Sequence, residues 1–134
     1  MTVLLSDHRT IQSSEDVVSV RQSVRQRAVE IGFNLIDQTK IVTAASELAR
    51  NTVQHGGGGH VTIERVEEGG RRGLRLTFED HGRGIPDVEL AMRDGFSTGG
   101  GLGLGLSGAR RLSNEFYIHS TPGEGTRVTI VRWR

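Results

Sequence analysis

The chain contains no cysteine. That excludes disulfides and cysteine metal sites, and it fits a reducing cytoplasm. Aromatics are scarce, with one Trp, one Tyr and four Phe. They are not interleaved with the scattered arginines, which argues against a stacking platform for nucleic acid. Neither sign of charge prevails: 17 Lys and Arg face 16 Asp and Glu, for a net charge of +1. No strong field therefore draws the chain to nucleic acid or to an anionic membrane. Long apolar runs are missing as well. The opening residues, Met1-Thr2-Val3-Leu4-Leu5-Ser6-Asp7, hold too short a run for a signal peptide or a transmembrane helix. There is no internal repeat. The nearest thing to a linker, residues 56–59, is too short to separate domains. At 134 residues the expectation is one domain with a single core, spanning 1–134.

Glycine is what the chain has in plenty. Nine of its nineteen glycines fall between Gly82 and Gly108. Each loses more backbone entropy on folding than any other residue would, so such density suits a place where backbone approaches a ligand. The stretch begins Asp80-His81-Gly82-Arg83-Gly84-Ile85-Pro86 and ends Gly99-Gly100-Gly101-Leu102-Gly103-Leu104-Gly105-Leu106. Gly101-x-Gly103-x-Gly105 presents successive N–H groups without a Cβ, and a helix is expected from Leu104 to Leu112. Those N–H groups then sit at its positive end, a site for phosphate. No Gly-x-x-x-x-Gly-Lys-Ser/Thr is present, so this is not a Walker A loop. Residues 92–98 read as helix end and loop, where a dinucleotide fingerprint needs a strand.

In chain order, residues 3–5 and 9–12 read as extended, either one edge strand or a hairpin. Ser13-Ser14-Glu15-Asp16 reads as the start of a first helix, with a cap-capable serine and acids in the first turn; its apolar positions are Val17, Val20, Val24, Ala28 and Ile31, and Gly32 stops it. Residues 34–37 connect, with Asp37 able to cap a second helix over 38–54. Ile41, Ala45, Leu48 and Thr52 give that helix a buried stripe. Glu47 and Asn51, four apart, project from one face. Alone they read as two solvated polar residues. Val61, Ile63 and the Arg65-Val66 pair read as one strand, Leu74, Leu76 and Phe78 as the next, and that strand delivers Asp80 into the glycine motif. Pro86 and Asp87 open a short helix, residues 94–100 have the makings of a lid, and strands follow over 115–120 and 126–133. The fold expected is α+β: a two-layer α/β sandwich with a mixed, mostly antiparallel sheet and about three main helices on one face.

Three motifs thus stand in fixed order: Glu47-Leu48-Ala49-Arg50-Asn51 on a helix, Asp80-His81-Gly82-Arg83-Gly84 after a strand, and residues 99–105 before a helix. Gly125-Thr126 opens the last strand. The set resembles the ATP-binding (GHKL, or Bergerat) fold of gyrase-type topoisomerases, Hsp90, sensor histidine kinases and MutL. Within it the chain is similar to the small stand-alone serine/threonine kinases of bacterial anti-sigma pathways, above all the stressosome switch kinases. Ser46-Glu47-Leu48-Ala49-Arg50-Asn51, Asp94-Gly95-Phe96-Ser97-Thr98 and Gly123-Glu124-Gly125-Thr126 carry that likeness, which covers nearly the whole length.

The resemblance implies ATP and Mg²⁺ as cofactors. It implies that Asp80 accepts from the adenine amino group, with Gly82 and Gly84 passing close to the base and Thr126 supporting it. It implies that Asn51 is the Mg²⁺ ligand and Glu47 the general base. Gly99, Gly101, Gly103, Leu104 and Gly105 would cradle the phosphates. The implied partners are a STAS-domain substrate or antagonist and a downstream phosphatase or similar effector, with no nucleic acid and no membrane. A binding module that uses nucleotide only to set its shape has no need of Glu47. A detached histidine-kinase catalytic domain is the weaker reading, because the chain shows no dimerising helical hairpin with a phosphoacceptor histidine. The residues leave Arg50, Arg83 and Arg110 as alternative stabilisers of phosphate charge. Arg50 lies about 100° around the helix from Asn51, which also allows it a partner surface. His55 reads most simply as surface decoration.

Overall fold

The structure, a computed structural model, describes residues 1–93 and 105–134. Its elements run β1 (Thr2–Ile11), α1 (Ser14–Ile31), α2 (Leu35–Gln54), β2 (Gly59–Glu68), β3 (Arg71–Asp80), α3 (Val88–Ala91), α4 (Gly105–Arg111), β4 (Glu115–Thr121) and β5 (Gly125–Trp133). The strands form one sheet in the order β1-β2-β3-β5-β4. All its pairings are antiparallel, so the mixed sheet of the sequence reading is antiparallel throughout the described residues. The N-terminal extended segments are one edge strand rather than a hairpin, with a register shift between Val3 and Leu5.

Local chemistry fixes the helices. Ser13 Oγ accepts from the Asp16 N–H at the start of α1, and Gly32 ends it in the left-handed region at φ 97°. α2 begins three residues before its expected start. Asn34, not Asp37, is its cap, and Asn34 Oδ1 accepts from the Asp37 N–H at 2.8 Å. The Asp37 carboxylate instead takes Arg132 Nη2 at 2.7 Å, which ties the start of α2 to β5.

Period-two alternation builds the core. Val61 pairs Phe78, which pairs Val128; Ile63 pairs Leu76, which pairs Ile130. These six pack with Val24, Ala28, Ile41, Ala45, Leu48, Leu106 and Ala109 in one buried cluster, so α1, α2 and α4 lie on that face. Arg65 and Val66 take opposite faces of the sheet. Arg65 takes the helix-side position, and Val66 joins Val131 and Trp133 in a second cluster on the opposite face. The Trp133 indole lies over Gly73, where an added Cβ would stand 2.7 Å from the ring. Arg71 stacks on the indole at 4.3 Å and Glu115 accepts from its Nε1 at 2.8 Å, so Trp133 seals a face that no described helix covers. No described helix is long and apolar enough to cross a membrane.

At one end of the sheet a register row runs Gly59, Asp80, Thr126, Ser120 across β2, β3, β5 and β4. The C-terminal end of α2 meets this row, since the Thr52 methyl lies against Gly59.

Candidate nucleotide-binding site

A cavity of about 400 Å³ opens between α2, the ends of β3 and β5, the segment 83–91 and the start of α4. That size is within the range of small-molecule sites, about 300–1,000 Å³. Phe78, Ile85, Leu90, Ala91, Leu106 and Val128 supply apolar wall. Glu47, Asn51, Asp80 and Thr126 line it too, so the structure brings the α2 pair together with two polar residues far along the chain.

Glu47 and Asn51 come from one face of α2, as their spacing demands. Glu47 is not the solvated residue that its helix alone suggests. It is 6% exposed, and its Oε1 accepts from Arg50 Nη1 at 3.0 Å, one turn along. Asn51 stays half-buried on the cavity wall. Its side-chain oxygen is neutral, so a divalent ion held there draws its charge balance from ligand phosphates, the manner in which Mg²⁺ commonly binds. Such an ion would find the Asn51 side-chain oxygen on the cavity wall as a protein ligand.

Asp80 ends β3 opposite Thr126. Its Oδ1 accepts from the Gly82 N–H at 3.0 Å, which fixes the carboxylate and leaves further lone pairs to accept from a ligand. The glycines expected to approach a base are pressed against protein here. A Cβ on Gly82 would stand 2.7 Å from the Gly56 carbonyl oxygen, and one on Gly84 would stand 2.4 Å from that of Thr121. Gly84 has φ 75° and lines the cavity. Gly105 opens α4 and lines it as well. Gly99, Gly101, Gly103 and Leu104, with the expected lid over 94–100, lie outside the described residues.

Ser120 is a residue that the sequence reading missed. Its Oγ accepts from the Ile85 N–H at 2.7 Å and shares a hydrogen bond with Thr126 Oγ1 at 2.8 Å. It thereby joins the cavity wall to the end of β5. The signal for it was the turn at 122–125, because a hairpin there sets Ser120 opposite Thr126.

His55 and Arg83 both line the cavity, so His55 lies at its wall rather than on the open surface. His55 caps the C-terminus of α2. Burial pushes its imidazole below the ordinary histidine range, Arg83 adds to this, and Asp80 opposes it. Arg50 lines the cavity as well, and its guanidinium is turned to Glu47. Arg110 is exposed on α4 and is not among the cavity's lining residues.

Known proteins resemble the chain along most of its length. The family model for the histidine kinase-, DNA gyrase B-, and HSP90-like ATPase matches residues 36–134. The serine/threonine-protein kinase RsbT of Bacillus subtilis is 48% identical over 123 residues, 92% of each chain. The anti-sigma F factor of Anoxybacillus flavithermus is 31% identical over 89% of this chain and 85% of its own. Among solved structures, the RsbU and RsbW domains of a Mycobacterium tuberculosis protein give a TM-score of 0.67 at 24% identity, a likeness of fold. That match covers 98% of this chain and 33% of the larger one. With the two halves of the site on α2 and on the β3–β5 end, and with relatives that match along the length, the chain belongs to the histidine kinase-, DNA gyrase B- and HSP90-like ATPase family, among its serine/threonine-protein kinases of the RsbT type.

Proposed function

We propose that the cavity binds Mg²⁺-ATP and that the protein transfers its γ-phosphoryl group to a serine or threonine of a STAS-domain antagonist or scaffold protein. The setting is a bacterial partner-switching pathway in the cytoplasm. Phosphorylation of the antagonist releases the kinase, which then binds a downstream effector such as a phosphatase. One observation carries the reading: Glu47 and Asn51 on α2 face the same cavity as Asp80 and Thr126 at the end of the sheet. A site that only held nucleotide would have use for the second pair and none for a buried carboxylate beside the first.

The roles follow from the chemistry of each group. Asp80 accepts from the exocyclic amino group of adenine, and Thr126 supports the ring. Asn51 holds Mg²⁺, which neutralises phosphate charge when bound. Glu47 takes the proton of the substrate hydroxyl as its oxygen bonds to the γ-phosphorus. The bond from that phosphorus to the β,γ-bridging oxygen breaks, and ADP leaves with the electron pair.

The test is single-turnover transfer from γ-labelled Mg²⁺-ATP to STAS-domain proteins encoded nearby. The parent should label a serine or threonine. Glu47→Gln should bind ATP as well as the parent and lose about 10²–10⁴-fold in transfer. Asp80→Asn should weaken ATP binding by about 1–3 kcal/mol. A parent that binds ATP, labels nothing and changes its hold on the STAS protein would be a nucleotide-controlled binding module instead.

A further inference from the structure

We propose that Arg50 is the positioning residue of the base: it acts on phosphoryl transfer through Glu47 and not through the phosphates. The inference rests on the reading of Glu47 as the base. Its ground is the geometry of the pair. Glu47 is all but buried, and burying a carboxylate without a partner is strongly unfavourable. Arg50 is the one hydrogen-bond or ion-pair partner of that carboxylate among the described residues, with Nη1 3.0 Å from Oε1.

The i,i+3 spacing on α2 sets the contact without help from any other element. Guanidinium and carboxylate are held by one rigid helix, so the base keeps its orientation however the neighbouring segments move. The contact takes Oε1 and leaves Oε2 without a protein partner among the described residues. That oxygen is the one available to a hydroxyl proton. A base must lie within hydrogen-bond reach of the proton it removes, and a small misplacement is costly. Arg50 itself is one-third exposed. A phosphate-binding arginine would do its work without Glu47, whereas a positioning arginine has none to do once the base is gone.

That contrast is the test. Single-turnover transfer from γ-labelled Mg²⁺-ATP to the STAS-domain substrate is measured in the parent, Arg50→Ala, Arg50→Lys, Glu47→Gln and the double variant. ATP affinity is measured in each by calorimetry. Arg50→Ala should lower transfer about tenfold or more while ATP affinity stays within about twofold, since misplacement of a reacting group costs on that scale. Arg50→Lys, which keeps the charge, should recover part of the loss. In the Glu47→Gln background Arg50→Ala should change transfer by less than about twofold, because residues that act as a unit are not additive. A full further loss in the double variant, or weaker ATP binding in Arg50→Ala, would assign Arg50 to the phosphates and overturn the inference. Unchanged transfer in Arg50→Ala overturns it too. A Glu47→Gln variant as fast as the parent, or a parent that transfers nothing, fails at the earlier step and overturns the reading of Glu47 as the base.

Discussion

Gly56 lies so close to Asp80 that a Cβ on it would stand 2.4 Å from Asp80 Cγ. The end of α2 and the end of β3 therefore meet across a missing side chain. This explains why the exit from α2 opens with glycine: bulk at 56 would displace the Asp80 carboxylate. The Gly82 N–H donates to Asp80 Oδ1 beside it.

Gly56→Ala should accordingly displace Asp80 and act on ligand binding more than on folding. We expect a loss of ATP affinity approaching that of Asp80→Asn, about 1–3 kcal/mol, the scale of an unsatisfied buried polar group. Gly57→Ala is the control. Its Cβ would meet nothing within 4 Å, so its cost is confined to a backbone at φ 72°. Calorimetric titration of the two variants with ATP checks the contrast. Equal affinities would remove Gly56 from the site.

Asn51 carries the metal in the proposed mechanism. Asn51→Ala should bind ATP with little response to Mg²⁺ and lose most phosphoryl transfer. The fold should survive, since Asn51 lies on the cavity wall and outside the stripe of Ile41, Ala45 and Leu48. Titration with ATP at fixed and zero Mg²⁺ decides it, and an Mg²⁺ response equal to the parent's would sink the assignment.

Much of this site was legible in the chain because it rests on local rules. The four-residue spacing of Glu47 and Asn51 fixes a shared helix face, and the alternation of Leu74, Leu76 and Phe78 carries a strand to Asp80. What escaped depends on tertiary contact. The burial of Glu47 follows from where α2 packs, which helix periodicity does not reveal. The cap of α2 moved to Asn34 because Asp37 is engaged by Arg132, 95 positions away. Ser120 emerges only from the pairing of β4 with β5.

Ser120→Ala gives a separate handle on the cavity wall. The Ile85 N–H would lose its acceptor and Thr126 its hydroxyl partner. We expect a lower melting temperature, equivalent to about 0.5–1.5 kcal/mol, the net worth of a typical hydrogen bond at a partly buried position. The Ile85 amide should also exchange its hydrogen much faster. Hydrogen exchange resolved at Ile85 reads this out, and protection equal to the parent's would show that the bond does not hold the segment.

The last prediction concerns acid. His55 titrates below its ordinary value of 6.5 in the folded protein, first because burial disfavours the imidazolium and then because of Arg83. Between that lowered value and about 6.5 the unfolded chain holds more protons at this position than the folded one, so stability rises with pH across the window. The contribution is full above about 6.5 and is lost as the pH falls through the folded value. Melting temperatures measured from pH 7.5 downwards should therefore fall more steeply for the parent than for His55→Gln, which has no proton to gain. Direct observation of the imidazole by NMR should separate the causes. Arg83→Gln removes a repelling cation and should move the titration up. Asp80→Asn removes an attracting anion and should move it further down. If His55→Gln follows the parent's pH slope, or if the two charge variants shift the imidazole in the opposite senses, the account of His55 as a neutral group at the mouth of α2 is wrong.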